Sequence, residues 1–422
     1  MTSALIAGTA VAAAAGIPIY AILGGLALLL FHLEQVPLSA VTIELTRLTD
    51  MPSLTAIPLF TFAGYLLAES KAPQRTLELA EAAFGWIPGG IAIAALASCS
   101  LFTAFTGASG VTIIALGGIV YPLLLQKAYP KDFALGLVTT SGSLGLLLPP
   151  SLPIILYALV AQVSLERLFA AALLPALLLI AALSAYAVWI SARHDVKATS
   201  FSWSALRSAF RRSIWEIPMP ILAIGGIYMG KFTAAEAAAV MAFYSLVAEV
   251  LIYKDIKLSA LPSIALKSQM LVGAILLVLG CAIGLTSYFI DAQAPAKLFS
   301  FLNAHVSGKI LFLALLNAFL LLVNMVEIFS AIVLMVPIIV PVAMHYGIDP
   351  IHLGVLFLLN LEIGYLTPPM GLNLFLSSRR FDLSLPTLYR ASLPFWLILI
   401  SLLAVVSYTP ALSLWLPRLF HL

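Results

Sequence analysis

The sequence predicts an all-α, polytopic membrane protein made of two related halves, and three observations predict it. First, 62% of the 422 residues are hydrophobic and only 9% are charged, with a mean hydropathy of +1.10; soluble domains carry about 25% charged residues. Second, apolar runs recur at the spacing that spans of about 20 residues require, and they lack the polar–apolar alternation of a membrane β-barrel. Third, a double-proline segment embedded in apolar sequence occurs twice, once in each half.

The N-terminal stretch MTSALIAGTAVAAAAGIPIYAILGGLALLLFH stays uncharged until Glu34 and has no basic leading segment. It reads as a first transmembrane helix, kinked near Pro18, rather than a cleaved signal peptide. Cys99 and Cys281 both lie in apolar runs and fit neither a disulfide scaffold nor metal spacing, so core packing is the reading for both. The longest polar stretch, Ser191–Arg212, holds Arg193, Lys197, Arg207, Arg211 and Arg212 against one acid, Asp195. The positive-inside rule makes it cytoplasmic. Its WSALRSAFRR segment fits an amphipathic helix on the lipid surface or an ordinary solvated linker. Either way it divides the chain into residues 1–190, a linker at 191–212, and residues 213–422. The net charge of +3 gives no indication of a nucleic-acid partner, and no long soluble segment is visible, so a large recognition module is expected on a separate chain.

Residues 141–154 read SGSLGLLLPPSLPI and residues 360–373 read NLEIGYLTPPMGLN. Setting Pro149-Pro150 on Pro368-Pro369 gives an offset of 219, which also matches Gly145 to Gly364 and Pro122 to Pro341. In both halves an apolar helix, a proline, a short polar turn (QKAYPKD; HYGIDPI) and a second apolar helix lead into the double proline. Internal symmetry with Gly/Pro-interrupted segments at corresponding places points to the binding site of a secondary transporter. The repeats are inverted if each half crosses the membrane an odd number of times.

A helix broken inside the membrane leaves unpaired N–H groups at one half-helix start and unpaired carbonyls at the other half's end. The first attract an anion and the second a small cation. Ser141, Gly142, Ser143 and Gly145 let a ligand approach the backbone, and the prolines hold the break open. The competing reading is a pair of short surface loops. At the offset of 219, Ser143 corresponds to Glu362, and Glu327, in another apolar run, to Ala108. Intramembrane carboxylates face a cavity or a partner and often mark ion paths, though either one also fits a purely structural pairing. Glu236 and Glu249, near the KDIK loop, read as interfacial or scaffold-facing charges. Residues 107–110, GASG, resemble a serine-protease motif with Ser109 as nucleophile, but such chemistry needs a buried base. The six histidines all lie at helix ends or in polar stretches, so no enzyme is expected. FTGASGVTIIALGG reads instead as a re-entrant hairpin tip whose hydroxyls suit sodium.

The runs IPLFTFAGYLLAES, AAFGWIPGGIAIA, LFTAFTGASGVTIIALGGIVYPLLLQKAYPKDFALGLVTTSGSLGLLLPPSLPIILYAL and IDPIHLGVLFLLNLEIGYLTPPMGLNLFL resemble the large membrane subunit of tripartite ATP-independent periplasmic (TRAP) transporters. The resemblance implies a bacterial or archaeal inner-membrane protein with two inverted repeats, each with a re-entrant hairpin and a broken helix. It implies elevator movement of a transport domain against a scaffold, driven by a sodium gradient. Gly107, Ser109 and Gly110 match the first hairpin tip, and Ser141, Gly142, Gly145, Pro149 and Pro150 the first broken helix. Glu362, Gly364, Thr367, Pro368, Pro369 and Asn373 match the second. Glu327 stands where the family commonly has Asp, and VNM precedes it where the family tends to have Gly.

The implied sodium ligands are Gly107, Ser109, Gly110, Ser141, Gly142, Gly145, Glu327, Glu362, Gly364 and Thr367. The implied substrate contacts are Ser109, Ser143, Pro149, Pro150, Pro368, Pro369 and Asn373. No cofactor is expected beyond sodium as coupling ion. The implied partners are lipid, a small four-helix membrane subunit on a separate chain, and a periplasmic protein that delivers an organic anion, usually a carboxylate. A proton-coupled carrier and an ion channel remain as rival readings. Arg379-Arg380 read as an interface anchor.

Overall fold

The computed structural model describes residues 8–9, 11–12, 15–39, 41–43, 46, 51–306, 308–323, 328–369 and 371–420; for 52 and 53 it describes the backbone alone. Its first half comprises α1 (Ile19–Leu33), α2 (Ala56–Glu69), α3 (Ala72–Phe84), α4 (Gly90–Thr106), α5 (Ser109–Ala115), α6 (Gly117–Gln126), α7 (Lys131–Ser141), α8 (Leu152–Ala161) and α9 (Leu165–Arg193). After α10 (Trp203–Arg212) come α11 (Pro218–Tyr228), α12 (Ala234–Ile252), α13 (Leu261–Asp291), α14 (Ala294–His305), α15 (Lys309–Val323), α16 (Ile328–His345), α17 (Pro350–Gly364), α18 (Leu372–Phe381), α19 (Leu385–Tyr408) and α20 (Ala411–Leu419). Among the described residues there is no β-strand.

Five of these helices are long and apolar enough to cross a membrane, and two further pairs, α5 with α6 and 131–147 with α8, are bent by 47° and 41° at short breaks. The chain is a multi-pass membrane protein. One detail of the reading changes. Pro18 does not kink a continuous helix: its ψ of 140° is extended, Gly16 has φ +77°, and α1 starts afresh at Ile19. Cys99 is buried, whereas Cys281 is only half-buried beside Gly24.

The offset of 219 set by the double prolines carries through the elements. Residues 109–126 of α5–α6 map onto 328–345, the bounds of α16, and Gly90 at the start of α4 maps onto Lys309 at the start of α15. Intrahelical prolines also correspond, Pro122 with Pro341 and Pro175 with Pro394.

The equivalent helices α7 and α17 begin at opposite ends of the bundle. Phe133, in the first turn of α7, packs on Tyr186 near the end of α9 and on Phe395 in the first half of α19, with centroids 5.7 and 5.6 Å apart. The start of α17 lies instead beside the end of α19: Tyr157 Oη donates to the Pro350 carbonyl at 3.0 Å, and His352 Nε2 is 3.4 Å from the Ser407 carbonyl. The base of the α4–α5 hairpin is held at the linker end, where Gly89 N–H donates to Ser191 Oγ at 3.0 Å.

The core runs without interruption from α2 and α4 through α7–α9 to α16, α17 and α19. Helices hydrophobic on nearly all sides, such as α17, fit the interior of a bundle rather than its surface.

Candidate functional site

The α4–α5 turn is tight because Gly107 adopts φ +64°, left-handed backbone that glycine takes without strain. A side chain there would strike Leu152, the first residue of α8, so the tip seats directly on the restarted half of the broken helix. Ala108 is extended, and Ser109, nearly fully buried, opens α5.

In the first broken helix α7 ends at Ser141, one 3₁₀ turn spans Leu144–Leu147, and Leu148 is extended with ψ 132°. A residue before proline is pushed out of helical backbone, and Pro149 and Pro150 lack the N–H that would continue the ladder. Ser151 donates its hydroxyl back to the Leu146 carbonyl. The hairpin and the break are stitched together. Thr103 Oγ1 lies 2.6 Å from Thr112 Oγ1 across the hairpin and 3.1 Å from the Gly142 carbonyl. Gly142 lies near the Ser109 carbonyl, and Gly145 lies against the α4 backbone at Ser100 and Ala104.

The second break lies between the end of α17 at Gly364 and the start of α18 at Leu372. Thr367 Oγ1 donates to the Ile363 carbonyl at 2.9 Å and accepts from Trp396 Nε1 at 3.0 Å, while Tyr389 Oη donates to the Pro369 carbonyl at 2.9 Å. Asn373 links the two breaks. Its backbone N–H reaches the Tyr365 carbonyl at 3.1 Å and its side-chain amide the Thr139 carbonyl at 3.0 Å, two residues before the end of α7. Thr139 Oγ1 adds a 3.0 Å bond to Ser377 of α18. The breaks differ in access: Pro149 and Pro150 are buried, and Pro368 and Pro369 are exposed.

Several buried oxygens around these junctions have no hydrogen-bond partner among the described residues: Thr106 Oγ1 at the hairpin tip, Thr140 Oγ1 at the end of α7, Asn373 Oδ1 at the start of α18, and both carboxylate oxygens of Glu362. Buried polar atoms in folded proteins are nearly always paired, so oxygens left without partners at helix interruptions have lone pairs that a hard cation, a water or a polar solute can use. Glu362 is sealed from solvent, with no cationic side chain in hydrogen-bond contact among the described residues; a bare carboxylate in such a place is costly unless something compensates its charge.

The sequence reading placed Gly107, Ser109, Gly110, Ser141, Gly142, Ser143, Gly145, Glu362, Gly364, Thr367 and Asn373 on these two breaks and the first tip, and the structure puts them there. Glu327 lies outside the described residues. The reading misses Thr103, Thr106, Thr112, Thr139 and Thr140, whose signal is a threonine within four residues of a glycine at the first hairpin tip or the first break. It also missed the buried chain Asn360–Asn317–Ser407, joined by bonds of 2.8 and 2.8 Å, which ties α17 to α15 and α19.

The charges near the linker sort differently from one another. Glu236 is exposed and closes a capping box with Thr233 at the start of α12. Glu249, thirteen residues on, is fully buried and accepts from Arg75 of α3 at 2.9 Å. Glu216 and Asp255 bind the same guanidinium, whose carbon sits 3.8 Å above the Tyr253 ring. Burial pushes the Glu216 carboxyl up to about 7 against the pull of Arg75. Arg380 packs over Gly118, and Arg379 is exposed.

An all-helical bundle in which two equivalent, oppositely directed helices are interrupted side by side is the architecture of a secondary membrane transporter. Within that class the chain has a definite place: residues 4–412 match the model of the family described as tripartite ATP-independent periplasmic transporter, DctM component, and the chain belongs to this family. It is 36% identical over 399 residues to the C4-dicarboxylate TRAP transporter large permease protein DctM of Pseudomonas aeruginosa, covering 94% of this chain and 92% of that one. It is 34% identical to the protein of the same description from Rhodobacter capsulatus, covering 96% of each. The sialic acid TRAP transporter large permease protein SiaM of Vibrio cholerae is 32% identical, over 88% of this chain and 87% of that one. The crystal structure of the Alcanivorax borkumensis YdaH transporter, described as having an unusual topology, shares the fold with a TM-score of 0.63 at 13% identity, over 88% of each chain.

Proposed function

We propose that this chain is the membrane permease of a sodium-driven importer that takes up an organic anion, with C4-dicarboxylates as the first substrates to test. The observation that carries the reading is Asn373, which bonds the Tyr365 carbonyl at the second break and the Thr139 carbonyl in the last turn before the first, while its own Oδ1 and the neighbouring Thr140 Oγ1 are buried without a partner among the described residues. Carbonyls and hydroxyls at Gly107, Ser109, Gly110, Ser141, Gly142, Gly145, Gly364 and Thr367, with Thr106 and Thr140 added by the structure, supply oxygen ligands for cations. Glu362 and Glu327 supply charge. Bound cations then favour an anion held near Ser109, Ser143, Asn373 and the two double prolines. Coupling requires that substrate prefer the ion-loaded form, because a ligand shifts an equilibrium only by its differential affinity. Each surplus positive charge carried inward across 100 mV contributes about 2.3 kcal/mol.

The names of the relatives support the substrate class, and two inverted repeats with elevator movement of the hairpins against a scaffold fit the element correspondence and the opposed directions of α7 and α17. The permease would work with a small membrane subunit and a periplasmic binding protein. One relative, the isethionate permease protein DctMQ of Oleidesulfovibrio alaskensis, is matched over only 59% of its length at 29% identity, so covalent fusion is an alternative arrangement for the small subunit. A proton-coupled carrier is a second reading, favoured by the unpartnered Glu362 carboxyl.

The test is succinate uptake by proteoliposomes containing this chain, its small subunit and its binding protein. A sodium gradient at fixed pH should drive accumulation and a pH gradient without sodium should not. Uptake that follows pH and ignores sodium would replace this reading with the proton-coupled one.

A further inference from the structure

The transport reading leaves α10 unused, and this helix carries a pattern of its own. Ala209 is its buried residue, turned toward α3. On the opposite side Trp203 and Phe210 form an exposed apolar edge, Trp203 being 72% exposed, and Arg207 and Arg211 form the adjoining strip one turn apart. Trp203, Ser204, Arg207, Ser208, Arg211 and Arg212 line a shared shallow concavity. Arg212 is engaged by Glu78 at 3.1 Å, whereas neither Arg207 nor Arg211 has an acidic partner among the described residues. Other exposed indoles lie on the segments that flank this helix and its partner α3: Trp86 just after α3, Trp189 near the end of α9 and Trp215 just after α10.

Indoles gather at the level of lipid headgroups, and arginines beside them lie where phosphates are. We infer that the Arg207–Arg211 strip of α10, with the Ser204 and Ser208 hydroxyls in the same row, is a binding site for the phosphate of an anionic phospholipid, whose acyl chains lie against Trp203 and Phe210. A solvated linker helix has no use for a largely exposed tryptophan next to two guanidinium groups without acidic partners. A free phosphate ion would satisfy the arginines and leave the apolar edge in water. The helix rests on α3, which leads directly into the first hairpin, so an occupant here loads the connection between α2 and the α4–α5 tip.

The experiment is native mass spectrometry of the purified full chain with phosphatidylglycerol, with phosphatidylcholine, and with inorganic phosphate alone. The wild type should retain phosphatidylglycerol in preference to phosphatidylcholine. Arg207→Gln with Arg211→Gln should weaken that retention roughly 30-fold, the loss expected for two basic side chains at a membrane surface. Lys254→Gln with Lys257→Gln, an exposed basic pair on the loop after α12, should leave it near wild type. A second readout is quenching of Trp203 fluorescence by brominated phosphatidylglycerol, measured against a Trp203→Phe background. Equal retention by the two double variants, saturable binding of inorganic phosphate that displaces the lipid, or no quenching of Trp203 would each overturn the inference.

Discussion

Replacing Arg75 with methionine keeps most of the apolar stem and removes the only cation that, among the described residues, is in hydrogen-bond contact with Glu216, Glu249 and Asp255. Glu249 is fully buried and the other two carboxylates are about one-tenth exposed, so none of them regains full hydration when the guanidinium goes. Opposite charges about 4 Å apart interact by about 4 kcal/mol at an effective dielectric of about 20. Three such contacts do not add, because the carboxylates repel one another and can take up protons. Breaking a buried ion pair from one side typically costs about 3–5 kcal/mol, and that range is the expected loss here at pH 8. The assay is denaturant unfolding of the purified protein in detergent at pH 8 and pH 5. The loss should shrink at pH 5, where protonation relieves the unpaired acids. Adding Glu216→Gln, Glu249→Gln and Asp255→Asn to Arg75→Met should recover most of the stability. A single variant within about 1 kcal/mol of wild type at pH 8, or a loss independent of pH, would refute the charge argument.

Glu216 makes a pH prediction of its own. Its folded pKa of about 7 lies above the ordinary 4.5, so the folded chain holds a proton that the unfolded chain releases. Stability should therefore fall as pH rises from 4.5 to 7 and level off above, and Glu216→Gln should flatten that slope in a melting series. Gly64 of α2 lies against the Phe105–Thr106 backbone at the first hairpin tip, with Thr106 Cα only 2.7 Å from where a side chain would begin. Gly64→Leu should displace the tip and cut uptake at least tenfold while the protein still reaches the membrane; wild-type uptake would show that the tip does not need this seat. Glu362→Gln should raise the sodium concentration needed for half-maximal uptake, and an unchanged sodium response removes Glu362 from the ion site.

The helix breaks were legible in the sequence because proline and glycine act on the backbone locally: Pro149-Pro150 and Pro368-Pro369 interrupt the ladder whatever surrounds them. The pairing of the halves was legible for the same reason, since four prolines and glycines keep their spacing. What lay beyond the sequence was set by partners distant along the chain. Arg75 sits in APQRTLELAEAAF, and the acids it binds lie 141, 174 and 180 residues away along the chain. Glu236 and Glu249 look alike in sequence; a π-helical turn at Val247–Ile252 and the approach of α3 make one a cap and the other a buried ion. Thr106 and Thr140 were passed over because threonine is ordinary in apolar helices. Only the packed structure shows that their hydroxyls have been left without partners.

If the paired helix interruptions hold the coupling cation, that site should exist before any substrate arrives. Equilibrium binding of radioactive sodium to the purified permease, by scintillation proximity, tests it most directly. Saturable binding is predicted for the wild type, weakened by Thr140→Val and by Asn373→Ala and insensitive to the Arg207→Gln, Arg211→Gln pair. A wild-type protein that binds no sodium, or binds it equally well after both changes at the breaks, would contradict it.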